Sequence, residues 1–263
     1  MPAATSCAPP EVLRRQAHFV GYPYNVTMQQ TTNRRDARTD GHLDVLGAIP
    51  PAYRNAVLEQ CERRVLARGD LIWSQGEPAQ FVAFLVSGKA MSWYQARNGK
   101  TGTTGFWCAG DLLGAADVGS LSTRQQTVRC LEECAIHTLS FERFNDLVRR
   151  FPEVGLAVIR ALSVRLRWVA QLAVTLETQP AFERICTVLL TLSEERFATY
   201  VDEGVLINVR LTNEDLAAIA GVTRQFTNAT LRDLRKRGLL VVRRQNVILT
   251  DRGAIEKLAY AAE

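Results

Sequence analysis

The sequence predicts an α+β chain: a β jelly-roll barrel, one long dimerisation helix and a C-terminal winged helix-turn-helix domain, behind an N-terminal extension. Three observations carry that prediction. Short β-rich runs punctuated by glycines fill residues 63–140. Beyond Ser140 the hydrophobic period lengthens from two to about 3.6 and holds that period into a long run. Finally, "LTNEDLAAIAGVTRQFTNATLRDLRKRGLL", Leu211–Leu240, joins two short helical patterns at a glycine, the second tipped with Arg, Gln and Asn.

At 263 residues the chain has room for two ordinary domains and their connectors, and 47% hydrophobic residues is a globular composition. The net charge of +5 is unevenly placed: between Arg224 and Arg244 seven basic residues face one acid, Asp233. A phosphate-binding surface needs that concentration of charge. No apolar run approaches a membrane span, and the first residues lack the apolar core of a signal peptide, so a cytoplasmic protein is expected. The six cysteines form no CxxC pair, and His18, His42 and His137 are scattered, which leaves no spacing for a metal site. In a reducing compartment such cysteines are buried small hydrophobes.

Residues 1–44 are polar and aperiodic and are assigned to a flexible extension. Residues 45–152 form the expected sensing barrel, opened by a short helix over 51–61 that starts at a Pro-Pro pair. Its strands alternate with turns at Gly69, Gly76, Gly88, Gly99, Gly110 and Gly114, the spacing of an antiparallel barrel. "RNGKTG" is a hairpin tip, because Asn-Gly supplies positive φ angles. "SFERFNDLVRRF" is an amphipathic helix stopped near Pro152. Over 153–179, Ile159, Leu162, Leu166, Val169, Ala173 and Leu176 recur at alternating spacings of three and four, the seam of a coiled coil. With Arg160, Arg165 and Arg167 outside that seam, the pattern predicts pairing with a second copy. Pro180 marks a hinge, and residues 180–263 form the last domain.

In that domain Thr212 and Asp215 form a capping box, Gly221 ends the first helix and Thr223 caps the second. At 100° per residue, Thr227, Thr230, Leu231 and Leu234 turn toward the first helix. Gln225, Asn228, Ala229 and Arg232 lie opposite, with Arg224 at the edge. Such a helix enters a major groove with its N-terminal residues at base edges, where Arg matches guanine and Gln or Asn matches adenine. The Thr223 hydroxyl and the helix N-terminus suit a phosphate. "LLVVRRQNVILTD" follows as a wing, with Arg243 and Arg244 at its tip.

Barrel, seam helix, hinge and winged helix-turn-helix in this order resemble the cyclic AMP receptor protein / fumarate-nitrate regulator (CRP/FNR) family of bacterial transcription regulators. The resemblance spans roughly residues 50–260 and rests on "RGDLIWSQGE", "FLVSGKA", "AGDLLGAA" and the helix-turn-helix quoted above. It implies a cyclic-nucleotide-binding-like barrel and a homodimer on a near-palindromic operator in double-stranded DNA, with RNA polymerase a further partner. Several positions depart from the family's pattern. After Gly114, Ala115 stands where members that bind cyclic AMP carry the carboxylate for the ribose. Arg124 keeps the phosphate arginine, but Gln125 replaces its serine, and the Thr-Ser pair for adenine falls on Val169 and Ala170 beside Trp168. Each lost polar contact costs about 1 kcal/mol or more, so cyclic AMP is not the expected ligand. Arg124 is left to a different anion or to an acidic neighbour such as Glu132 or Glu133. With only Cys7 in the extension, an iron–sulfur cluster is not expected either. Trp168, Trp107 and Phe106 are available to line a pocket for a hydrophobic or aromatic effector. On the recognition helix, Gln225 takes the place of a frequent glutamate and Ala229 that of a frequent arginine, so the operator differs from the usual one.

The expected function is therefore a dimeric regulator that senses a ligand other than cyclic AMP, or acts without ligand, and is not an enzyme. Two alternatives have their own signatures. A binding or interaction module with a silent helix-turn-helix would lose affinity with salt and show no sequence preference. A redox switch at Cys108, Cys130 or Cys134 would respond to oxidant.

Overall fold

The computed structural model describes residues 45–260 apart from 48, 100, 120, 121, 244 and 245. The extension over 1–44 with Cys7, His18 and His42, and the tip residues Lys100 and Arg244, lie outside the described residues.

Helix α1 (Pro51–Glu59) begins at the Pro-Pro pair, with Pro50 as its cap. The barrel strands follow: β1 (Glu62–Leu66), β2 (Leu71–Trp73), β3 (Phe81–Ser87), β4 (Lys89–Gln95), β5 (Thr101–Cys108), β6 (Leu112–Leu113), β7 (Thr127–Cys130) and β8 (Cys134–Ser140). They form two antiparallel sheets, ordered β1-β8-β3-β6 and β2-β7-β4-β5. The β4–β5 hairpin pairs Gln95 with Thr101 across the predicted tip, where Gly99 holds φ at +79°.

Strand β3 shows why "FVAFLV" is apolar without alternation. Ala83 and Leu85 point to the cluster inside the barrel, with Trp73, Leu113 and Ile136. Val82 and Phe84 point to a second cluster with Val57, Phe144, Leu147 and Val154. The strand is buried on both faces, so the period of two is hidden.

That second cluster fastens helix α2 (Phe141–Arg150), capped by Ser140, and the start of α3 (Pro152–Thr178). A helix of 27 residues is about 40 Å long. Val154 and Val158 near its start are buried, whereas the later apolar positions mostly meet solvent.

Helix α4 (Ala181–Leu192) follows the hinge, then β9 (Ala198–Val201), β10 (Gly204–Ile207), α5 (Asn213–Ala220), α6 (Arg224–Lys236), β11 (Leu240–Arg243), β12 (Asn246–Leu249) and α7 (Arg252–Ala259). The sheet order is β11-β12-β10-β9. Ile185, Leu189, Leu216, Leu234, Leu249 and Ile255 form its core, and the same cluster takes in Met91, Phe106, Cys108 and Leu131 of the barrel. The C-terminal domain is thus docked against the barrel.

Candidate nucleic-acid interface and sensor cavity

The capping box is present in full. Thr212 Oγ1 accepts from the Asp215 backbone amide at 3.0 Å, and Asp215 accepts from the Thr212 amide at 2.9 Å. Gly221 closes α5 in the left-handed region at φ +61°, and its missing Cβ matters twice, since one would lie 3.0 Å from Leu176 of α3. Thr223 caps α6 by accepting from the Phe226 amide at 3.2 Å.

Thr227, Thr230, Leu231 and Leu234 are buried, while Arg224, Gln225, Ala229 and Arg232 are exposed. Asn228 is half-buried and accepts a hydrogen bond from the Asn213 side-chain amide, which presents it as an oriented group. On the wing, Arg243 is exposed and pairs with Glu203 at 2.7 Å. Two further residues belong with this surface. Phe226 remains 39% exposed in the first turn of α6, an apolar group of the kind that meets thymine methyls. Arg184 donates to the carbonyls of Ala220 (2.8 Å), Gly221 (3.1 Å) and Gln179 (3.2 Å). One guanidinium therefore ties the hinge after α3 to the turn between α5 and α6.

The docked domain is held to the barrel by charge as well as by the shared core. Arg129 of β7 donates to Asp215 at 2.7 Å, and Arg196 donates to Asp111 at 2.6 Å. Phe106 and Phe197 meet edge to face at 5.8 Å.

A cavity of about 900 Å³ lies where the barrel, α3 and the segment after α4 meet. Trp73, Phe106, Trp107, Trp168 and Phe197 are its aromatic wall, and Gly114, Gln125 and Val169 also line it. Arg124 is not on that wall. It is 1% exposed, donates to Asp117 at 2.8 Å and to the Phe81 carbonyl at 2.5 Å, and lies 3.9 Å from the Trp73 ring centroid. The acidic neighbour is thus Asp117, not Glu132 or Glu133; Glu132 pairs instead with Lys89. Asp117 lies on the short 3-10 turn Ala115–Asp117, which sequence periodicity could not aim at Arg124. Gly114 allows the approach, because a Cβ there would lie 2.6 Å from Arg124 Nη1. Gln125 is exposed and donates to the Thr123 carbonyl. Burial lowers the Arg124 pKa, and its ion pair with Asp117 opposes that shift.

Arg165 also departs from expectation. Although outside the seam, it turns inward: it donates to the Phe106 carbonyl at 2.8 Å and lies 3.8 Å from the Trp107 ring centroid. Burial lowers its pKa to about 10, which leaves it charged at neutral pH. Gly105 makes room, since a Cβ would collide with the guanidinium. Among the described residues no helix is long and apolar enough to cross a membrane, and no group of three His, Cys, Asp or Glu is placed to hold a metal ion.

Comparison with known proteins agrees with this arrangement. Residues 63–151 match the cyclic nucleotide-binding domain, and residues 183–258 match the Crp-like helix-turn-helix domain. The CRP-like cAMP-activated global transcriptional regulator of Mycobacterium tuberculosis is 22% identical over 218 residues, covering 83% of this chain and 96% of that protein. The fumarate and nitrate reduction regulatory protein of Escherichia coli is 23% identical over 197 residues, covering 75% and 78%. Among solved structures, the c-di-GMP responsive global regulator CLP of Xanthomonas campestris superposes with a TM-score of 0.68 at 23% identity, covering 76% of this chain and 99% of that one. The sensor-like barrel, the long helix and the capped helix-turn-helix, matched in that order, show that the chain belongs to the CRP/FNR family of DNA-binding transcription regulators.

Proposed function

We propose that the chain acts as a homodimer on a near-palindromic operator, and that the ligand governing it, where one is used, is not cyclic AMP. The observation that carries this reading is the exposed apolar stripe of α3. Ile159 is 60% exposed and Leu166 70%, with Leu162, Val169 and Leu176 open on the same seam. A monomer gains nothing by leaving such a stripe in water, and a second copy would cover it. Two-fold pairing along α3 would then set two α6 helices about one turn of DNA apart, with Arg224, Gln225, Asn228 and Arg232 at base edges and Thr212, Thr223, Arg243 and Arg244 at the backbone.

The effector reading is supported by the fate of Arg124. Its two terminal nitrogens donate to Asp117 and to the Phe81 carbonyl beneath Trp73, so a nucleotide phosphate would have to break a buried ion pair to reach them. Ala115, Val169 and Ala170 offer no polar side chain to a ribose or an adenine. In mechanism, an occupant of the cavity would bias the docking of the C-terminal domain, because Arg196 and Phe197 of that domain line it. Selection of bound sequences from a random DNA pool, followed by gel shifts, tests the DNA half. Arg224→Ala and Gln225→Ala should abolish selectivity while leaving the molecular mass in solution at that of a dimer. Unaltered selectivity would refute their assignment.

A further inference from the structure

One cation sheltered beside the cavity has no carboxylate in ion-pair contact with it. Asp111 is paired with Arg196 at 2.6 Å, and Asp117 with Arg124 at 2.8 Å. Arg160 and Arg167, which also line the cavity, are exposed to solvent, where water screens them, and Glu194, whose carboxyl pKa is raised by burial, faces Arg196 and Arg252 instead. That leaves Arg165. Among the described residues it makes no ion pair; its only hydrogen bond goes to the Phe106 carbonyl, and it leans on Trp107 and, at 5.8 Å, on Trp168. A guanidinium carries five N–H donors in a fork, so most of its capacity remains unused. Burial works against its charge, and the nearby Asp111, already paired with Arg196, offsets that only in part, so a ligand that brings its own carboxylate recovers part of the desolvation cost.

From this we propose that the cavity takes an aromatic carboxylate, its carboxylate paired with Arg165 and its ring held against the tryptophan and phenylalanine wall. Three observations select this class. The buried cation without an ion pair of its own is a guanidinium, which fits a carboxylate in bidentate fashion. The wall beside it is aromatic and includes Phe106, Trp107, Trp168 and Phe197, a surface that suits a planar apolar body. The arginine that would cradle a phosphate is already occupied by Asp117. The same placement explains how occupancy reaches the DNA-binding domain. Phe197 packs on Phe106 at 5.8 Å, and Phe106 supplies the carbonyl that holds Arg165, so an occupant touches the contact between the domains.

This inference rests on the cavity being the effector site, but binding can be read without DNA. Failure here would leave the Arg224 and Gln225 gel-shift result standing. The experiment titrates the full chain with benzoate and phenylacetate, with benzamide and phenylacetamide as uncharged counterparts, and with inorganic phosphate. Binding is followed by calorimetry and by the emission of the wall tryptophans. At least one acid should bind saturably and quench that emission, with its amide weaker by about tenfold or more, since a charge-assisted contact is lost. Arg165→Gln should bring the acid down to the affinity of its amide, and Arg165→Lys, which keeps charge but not the fork, should fall between them. Any of these results would overturn the proposal: amide binding as tight as acid binding, an Arg165→Gln chain with undiminished affinity, or phosphate binding in preference to every acid. The acid–amide comparison needs no variant and stands even if the substituted chains fold poorly. Absence of binding by both acids up to about 10 mM, an affinity weaker than about 3 kcal/mol, also rejects the class.

Discussion

Arg129 and Asp215 meet across the domain boundary at 2.7 Å, and the same carboxylate closes the capping box that starts α5. One residue of the helix-turn-helix is therefore shared between a local cap and a long-range tie to the barrel. Arg129→Ala removes the tie, together with the guanidinium 5.5 Å from the Trp93 ring, but leaves the cap, at a cost of about 0.5–1 kcal/mol for a partly exposed pair. Asp215→Ala removes both and should cost about 1 kcal/mol more, the usual value of a cap. Urea unfolding of the two single variants and the double variant gives the coupling energy. An Asp215→Ala chain no less stable than Arg129→Ala would show the cap to be idle.

The second prediction concerns the seam. Leu166 is 70% exposed, so placing a charge there should disturb the fold of one chain very little. In a paired α3 it would bury two like charges against each other. Leu166→Glu should convert the dimer to monomer by light scattering while leaving helix content unchanged. It should also weaken operator binding by about 100-fold or more, because the two half-sites lose their shared effective concentration. A Leu166→Glu chain that remains dimeric would move the interface elsewhere.

What the sequence made legible was whatever is written locally. Capping at Thr212 and Thr223, the turn at Gly221 and the exposed apolar stripe of α3 each follow from residues within a turn or two of one another. Strand runs were recognisable too, even in β3, where burial on both faces hides the alternation. The missed features depend on contacts distant along the chain. Arg184 gives no sign within "AFERIC" that it will meet the carbonyls of Ala220 and Gly221, 36 and 37 residues on. Arg165 has the helical phase of an exposed residue, and only the packing of α3 over the barrel brings it to Trp107. The docking of the C-terminal domain through Arg129 and Arg196 lies equally beyond any local pattern.

Arg124 yields the third prediction. Among the described residues it is the largest side chain that is fully buried, and Asp117 is its counter-charge. Removing one member leaves an unpaired charge in the barrel, so Arg124→Ala should cost about 3–5 kcal/mol. Replacing both, Arg124→Met with Asp117→Leu, should recover most of that loss, since a buried pair exchanged for apolar groups is close to neutral. Thermal unfolding distinguishes the cases. If Arg124→Ala costs less than about 1 kcal/mol, the smallest value for a buried charge left alone, the arginine is not structural and a ligand role returns.

The last prediction tests the thiol-switch reading at Cys108, with Cys186 as a second buried thiol for comparison. Burial pushes the Cys108 thiol up to about 11 and the Cys186 thiol up to about 12. Thiolate is the reactive form, so at pH 8 the folded chain should alkylate more slowly than the unfolded one, by about 100-fold at Cys108 and about 1000-fold at Cys186. The sign of the linkage follows. A folded pKa above the unfolded one stabilises the fold through the neutral thiol, fully so below the unfolded value near 9, and that stability is lost as pH rises through 11 to 12. Iodoacetamide labelling resolved by peptide mass should therefore show both cysteines protected at pH 8 and increasingly labelled above pH 10. Rapid labelling of Cys108 at pH 8 in the folded chain would place a reactive thiol beside Arg196, against the domain contact, and would revive the redox reading.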